Sequence, residues 1–268
     1  MPALPAIETD PLDQFSVAGK SVLVTGATGA LGGTAANALA RAGARLTLAG
    51  GNASKLVEVA ARLRPLTAVT TVPLRANDPG EAEAMVDAAV GAHDRLDGVL
   101  VASGMNHVGP ITELSVGDFD GVMDANVRAS WLICQAAGRR LLAQDEGGSV
   151  VLVSSTRGKL GHPAGYSAYC PSKAGVDLLA KALAAEWGHA GIRVNALAPT
   201  VFRSELTAWM YADDDRGRAT REAMLSRIPL GRLAEPDDFT GALIYLLSGA
   251  SAFLTGQVLY LDGGYTAC

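Results

Sequence analysis

Cysteine is scarce in this 268-residue chain: Cys134, Cys170 and Cys268 are widely spaced, form no C-x-x-C pair and cannot all pair with one another. A disulfide framework is thereby excluded, and a reducing cytoplasm is the expected compartment. Basic residues are not concentrated either, because 22 Lys and Arg against 27 Asp and Glu leave a net charge of -5 with the cations scattered. Phosphate-rich polymers need a concentrated basic surface, so no nucleic-acid partner is expected. The four histidines, His93, His107, His162 and His189, show no metal-ligand spacing, and no metal is expected. His93 and His189 fall near the ends of helical patterns, where a cap or a solvated face is the ordinary reading. No apolar run approaches the roughly 20 residues that span a bilayer, and "MPALPAIETDPLDQF" lacks a basic segment followed by an apolar one. No membrane partner is expected. Linkers, low-complexity tracts and repeats are absent too, so residues 1–14 read as a flexible leader and 15–268 as one domain.

What is present is a 49% hydrophobic chain in which short apolar runs alternate with longer Ala-rich amphipathic stretches. "SVLVTG", "RLTLAG", "AVTTVPL", "GVLVAS", "SVVLVSS", "RVNALAP" and "QVLYLDGG" are near-continuously apolar, as strands covered on both faces are. Helix patterns such as "GEAEAMVDAAVGAHDRL" and "AGVDLLAKALAAEWGHAG" lie between them, the latter closed by a glycine suited to a C-cap. Repeated strand–helix units predict an α/β, doubly wound parallel sheet with helices on both faces. The longest stretch without a strand, between Pro199 and Gly256, carries the irregular "YADDDRGRAT" and reads as a loop over the ligand crevice.

"TGATGALG" follows the first strand and opens a helix, with Gly26 at the turn, Gly29 where a ligand would approach and Gly32 where helix meets sheet. Free amides and a positive dipole end there attract a pyrophosphate; a tight strand-to-helix turn with no ligand would use the same glycines. The second strand ends at Gly50 and Gly51, where an acid would favour NAD and a base NADP. Neither Gly51 nor the loop supplies a base for a 2′-phosphate, so the cofactor reads as NAD or NADP, undecided.

In "SSTRGKLGHPAGYSAYCPSK", Tyr169 and Lys173 stand four apart and share one face of a helix. A neighbouring ammonium favours ionisation of a phenol whose ordinary pKa is about 10, which suits proton exchange with an alcohol. An exposed Tyr beside a solvated Lys has the same spacing. Ser155, closing the strand fourteen residues upstream, brings a hydroxyl to the same end, while Ser154 alternates to the other side and reads as structural. Cys170 has no His or Asp partner in the local sequence and reads as a packed helix residue.

"GKSVLVTGATGALG", "RLDGVLVASG", "DANV", "SVVLVSS", "YCPSK", "RVNALAPT" and "IPLGRLAEPDDFTGALIYLLSGASAFLTGQVLYLDGG" occur in an order that resembles the single-domain short-chain dehydrogenase/reductases, from about Phe15 to the C-terminus. The resemblance implies a Rossmann-type, seven-stranded sheet, a nicotinamide cofactor and hydride exchange between a secondary alcohol and a ketone. It further implies Tyr169 as acid or base, Lys173 as its modulator and a ribose contact, Ser155 as the donor to the substrate oxygen, and Asn126 as the anchor of a relay water. Without the order of the motifs, Asn126 reads equally as a helix residue bonded to its own backbone.

Cofactor contacts are implied at Gly26, Thr28, Gly29, Ala30, Leu31 and Gly32, at Gly50, Gly51, Asn52 and Ala76, at Ala102, Ser103 and Gly104, and at Pro199, Thr200, Phe202 and Ser204. Asn106, His107, His162 and Tyr166 are the substrate-side candidates. A homotetramer is the expected assembly. Several positions depart from the family's pattern: Ala30 replaces a glycine, Val101–Gly104 replace N-N-A-G, Arg75 stands where an Asp usually meets the adenine, and Thr200 replaces the glycine after Pro199. Loose likeness to polyol and sugar-acid enzymes favours such a substrate; a 3-oxoacyl thioester reductase and a non-catalytic NAD(P) sensor are the alternatives.

Overall fold

Seven apolar runs form seven strands: β1 (Ser21–Thr25), β2 (Arg45–Ala49), β3 (Val69–Val72), β4 (Gly98–Val101), β5 (Gly148–Val153), β6 (Ile192–Pro199) and β7 (Val258–Leu261). The computed structural model describes residues 10–204 and 207–268. Every pairing is parallel, in the order β3-β2-β1-β4-β5-β6-β7. The direction of winding reverses between β1 and β4, which opens a crevice at the carboxyl ends of the strands.

Side-chain alternation divides the sheet between two cores. Leu23, Val99 and Val101 face α3 (Pro79–His93), α5 (Ala129–Gln144) and α6 (Tyr169–Trp187). Val22, Val24 and Leu100 face α1 (Ala30–Arg41), α2 (Ala53–Leu63) and, beyond α4 (Val116–Met123) and α7 (Asp215–Leu225), α8 (Thr240–Leu247). Both faces of β1 are buried, so its run has no polar face to alternate with. Each buried Leu contributes about 2 kcal/mol by area, which makes this double burial the principal support of the crevice floor.

α6 takes in Tyr169 and Lys173 as their spacing predicts, since Pro171 lies in its first turn, where a missing N–H costs nothing. Two expectations change. "YADDDRGRAT" is not irregular throughout: Asp214 caps α7 by accepting from the Gly217 amide at 2.7 Å, and the chain is helical from Asp215. His93 is not solvated but 3% exposed, its Nε2 lying 3.2 Å from the Leu46 carbonyl oxygen. Of the expected leader, residues 1–9 lie outside the described residues, while Pro11–Phe15 form a 3-10 turn.

Helices α5 and α6 meet at Gly138 and Trp187. A Cβ on Gly138 would stand 2.5 Å from Cζ2 and 2.7 Å from Cη2 of the Trp187 ring. Alanine gains about 1 kcal/mol of helix propensity over glycine, whereas overpacking costs about 1–3 kcal/mol. Gly138→Ala is therefore expected to lower stability by ~1 kcal/mol net in chemical denaturation; a raised midpoint would show that the ring gives way freely.

Candidate active site

The crevice begins with backbone packed on backbone. Gly26 has a φ of +66°, and a Cβ there would lie 2.7 Å from the carbonyl of Ala102 and the amide of Ser103. A Cβ on Gly32 would collide with the Gly26 carbonyl oxygen. Only glycine permits both approaches. Gly29 precedes α1 and offers no side-chain cap, so the first-turn amides of Ala30 and Leu31 are left for a ligand. Ala30 is exposed, and its methyl does not close the loop.

Two adjoining hollows, of about 980 and 560 Å³, make up the crevice and share Thr28, Gly29, Ala102, Ser103 and Gly104. The larger also takes in Ala30, Leu31 and Gly32 of the loop, Asn106, the Ser155–Tyr169–Lys173 group, and Pro199, Thr200, Phe202 and Ser204. Gly26, Gly50, Gly51, Asn52 and Ala76 line the smaller. Met105, Asn77 and Arg75 line it as well and were not among the expected contacts. Arg75 and Asn77 follow β3 and Met105 follows β4, both far in sequence from the glycine loop.

β5 delivers Ser155, and the first turn of α6 delivers Tyr169 and Lys173. The Tyr169 phenol hydrogen-bonds Ser155, while the 5% exposed Lys173 donates from Nζ to the Val153 carbonyl at 2.9 Å, 5.6 Å from the centre of the Tyr169 ring. Burial pushes the phenol up to about 12, the bond from Ser155 opposing it only in part. The acidification expected from Lys173 is not what sets this phenol; burial is. Burial also lowers Lys173 to about 8, with Asp177 one turn on pulling it upward. Ser154 lies beneath α6 with its hydroxyl 3.3 Å from the Lys173 carbonyl, and it borders the larger hollow beside Ser155.

Asn126 does not line the crevice; it stands behind it, buried in a π-type turn at Asp124–Arg128 between α4 and α5. Its Oδ1 accepts from the Met105 amide at 2.8 Å, and its Nδ2 donates to the Met105 carbonyl at 2.9 Å and to Ser172 Oγ at 2.8 Å. Ser172 in turn donates to the Tyr169 carbonyl at 2.8 Å. Asn126 therefore ties the segment after β4 to the turn that carries Tyr169. Gly104 passes between, where a Cβ would stand 2.7 Å from Asn126 Oδ1 and 3.5 Å from Lys173 Nζ.

Of the substrate-side candidates, Tyr166 lies tilted against His162 with ring centres 4.6 Å apart and edges Tyr169 at 6.0 Å. Burial and the nearby Arg157 and Arg227 lower the His162 pKa. His107 departs from expectation, lying exposed and paired with Asp118 at 3.3 Å rather than lining the crevice. Arg157 was overlooked; 8% exposed, it donates to the Tyr265 hydroxyl at 3.2 Å and to the Gly161 carbonyl at 3.1 Å. Its place two residues after Ser155 was the available signal.

A family model described as enoyl-(acyl carrier protein) reductase matches residues 26–266. The chain belongs to the short-chain dehydrogenase/reductase family. As a member it is an oxidoreductase acting on alcohol or ketone groups. It is 68% identical over 257 residues to an uncharacterized oxidoreductase of Mycobacterium tuberculosis, covering 96% of this chain and 95% of that one. A D-threitol dehydrogenase of Mycolicibacterium smegmatis is 37% identical over 255 residues, covering 94% and 95% of the two chains. The crystal structure of a gluconate 5-dehydrogenase from Burkholderia cenocepacia, in complex with NADP and tartrate, superposes with a TM-score of 0.90 at 29% identity over 97% of this chain and 100% of that one.

The phenol's environment yields a direct expectation. Alkaline difference spectra between the protein and Tyr169→Phe should assign Tyr169 no phenolate until above the ordinary value of about 10; an ionisation below pH ~9 would contradict the burial argument.

Proposed function

We propose that this short-chain dehydrogenase/reductase uses a nicotinamide dinucleotide to interconvert a small polyhydroxylated or hydroxy-acid secondary alcohol and its ketone. The observation that carries the reading is the convergence of Ser155, Tyr169 and Lys173 at one end of a glycine-lined crevice. The dinucleotide fits what the chain offers, since Gly26 and Gly104 let the backbone pack closely enough to leave the crevice open and α1 presents uncapped amides. Ala30 and Leu31 would hold the pyrophosphate, Tyr169 and Lys173 the nicotinamide ribose, and Phe202 and Ser204 the carboxamide. When bound, the dinucleotide supplies or accepts the hydride.

The remaining chemistry belongs to the protein. Ser155 positions the substrate oxygen and Tyr169 holds the proton for it, two donors aimed where negative charge develops. With its pKa raised, Tyr169 keeps its proton throughout the neutral range. Ketone reduction is therefore expected to hold through neutral pH, while alcohol oxidation, which needs the deprotonated phenol, rises with pH; steady-state rates in both directions check this, and oxidation that falls as pH rises would contradict it. Lys173, still mostly protonated at pH 7, keeps a positive charge beside the ring, and Asn126 holds the Tyr169 turn from behind.

A polar substrate is favoured over a carrier-bound thioester by the segment after β6. Its Arg203, Arg218 and Arg232 are each paired with a carboxylate, at 3.1, 2.6 and 2.7 Å, which lowers the basic charge open to an acidic carrier protein, while Arg216 and Arg227 lie over the Trp209 and Tyr265 rings and Arg221 donates to the Met210 and Ala212 carbonyls. The three cysteines are free, in keeping with a cytoplasmic protein. Exposed Trp131 on α5 and Leu178 on α6 support a homotetramer through those helices.

A panel of polyols, sugar acids, their ketones and a 3-oxoacyl thioester, followed by nicotinamide absorbance, tests the reading. Turnover of a polyol or sugar acid is expected, and Tyr169→Phe should lower kcat/KM by about 10³-fold while dinucleotide affinity changes little. Binding with no turnover anywhere on the panel would make the protein a sensor, and turnover of the thioester alone would make it an acyl reductase.

A further inference from the structure

The lining of the smaller hollow bears on which dinucleotide enters. The ribose hydroxyls of NAD are ordinarily met by a carboxylate just past β2, and this chain has Gly50 and Gly51 there. The only carboxylate lining the smaller hollow, Asp124, is already paired with Arg128 at 2.8 Å.

Into the space left by Gly51 comes Arg75, from the segment between β3 and α3. A Cβ on Gly51 would collide with Arg75 Nε and lie 2.9 Å from its Cγ and 3.0 Å from its Cδ. The arginine stem thus lies across the glycine, and any side chain at position 51 would displace it. Arg75 is exposed and has no ion pair or side-chain hydrogen bond among the described residues. The nearest acids in sequence are engaged elsewhere: Asp78 accepts from the Glu81 amide at 2.9 Å, and Glu81 accepts from the Asn77 amide at 3.0 Å and its Nδ2 at 2.7 Å. A guanidinium with open donors, at the wall opposite the catalytic end, matches a phosphate monoester and repels no group of NADP.

Resting on the dinucleotide reading of the crevice, we propose that Arg75, seated on Gly51, is the receptor for the 2′-phosphate and makes the enzyme selective for NADP(H). The base missing from the β2 end is supplied from the β3 end instead. Gly51 is then required for arginine packing rather than for contact with the cofactor.

Dissociation constants for NADPH and NADH, and for adenosine 2′,5′-bisphosphate and adenosine 5′-monophosphate, test this by calorimetry without turnover. The native protein should bind NADPH, and the bisphosphate, at least about tenfold tighter than their partners lacking the 2′-phosphate. Arg75→Gln should weaken NADPH about tenfold and NADH less than about twofold, with Arg75→Lys restoring part of the difference. Equal affinity of the native protein for the two dinucleotides, or equal weakening of both by Arg75→Gln, would overturn the assignment while leaving the dinucleotide reading intact. Failure of either dinucleotide to bind would remove that reading and this one with it.

Discussion

Backbone contact between the Gly26 turn and the Ala102–Ser103 segment fixes everything else in the molecule. Here the ends of β1 and β4 diverge, and the turn must lie on the next strand's backbone while the helix that follows lies on the turn. Side chains at positions 26 and 32 would push these layers apart and lift the first turn of α1 off the sheet. The crevice is the space that this close packing leaves at the switch point of a parallel sheet. Gly104 continues the same rule further in, letting the chain pass between Asn126 and Lys173.

Burial organises the electrostatics along this crevice. At the β5–α6 end burial raises the pKa of the Tyr169 phenol and lowers that of the Lys173 ammonium. Asn126 and Ser172 serve this arrangement without touching the crevice, since they bind the first turn of α6 to the segment after β4. The π-type turn at Asp124–Arg128 is what aims the Asn126 side chain toward that segment.

All seven strands were legible because parallel strands buried on both faces leave uninterrupted apolar runs. Tyr169, Lys173 and Ser155 were legible because a helix repeat and a strand end are local signals. What was hidden depended on contacts distant in sequence. The stem of Arg75 crosses Gly51 only because β2 and β3 are neighbours in the sheet. His93 is buried because β2 ends its α3 neighbour's exposure, which a rule about helix ends does not contain. The start of α7 was read as irregular because its first turns are Asp- and Arg-rich and carry no apolar face, so it rests on the Asp214 cap. The phenol's raised pKa was hidden for the same reason as Arg157, since burial is a property of the folded chain.

The central claim is that one crevice, made by the Gly26 contact, orders a dinucleotide from the β2–β3 edge to Tyr169. A crystal structure with the reduced dinucleotide bound tests it most directly. The account predicts the pyrophosphate on the Ala30 and Leu31 amides and the nicotinamide between Tyr169 and Phe202. A dinucleotide bound in the reverse direction, or outside the glycine-lined crevice, would contradict it.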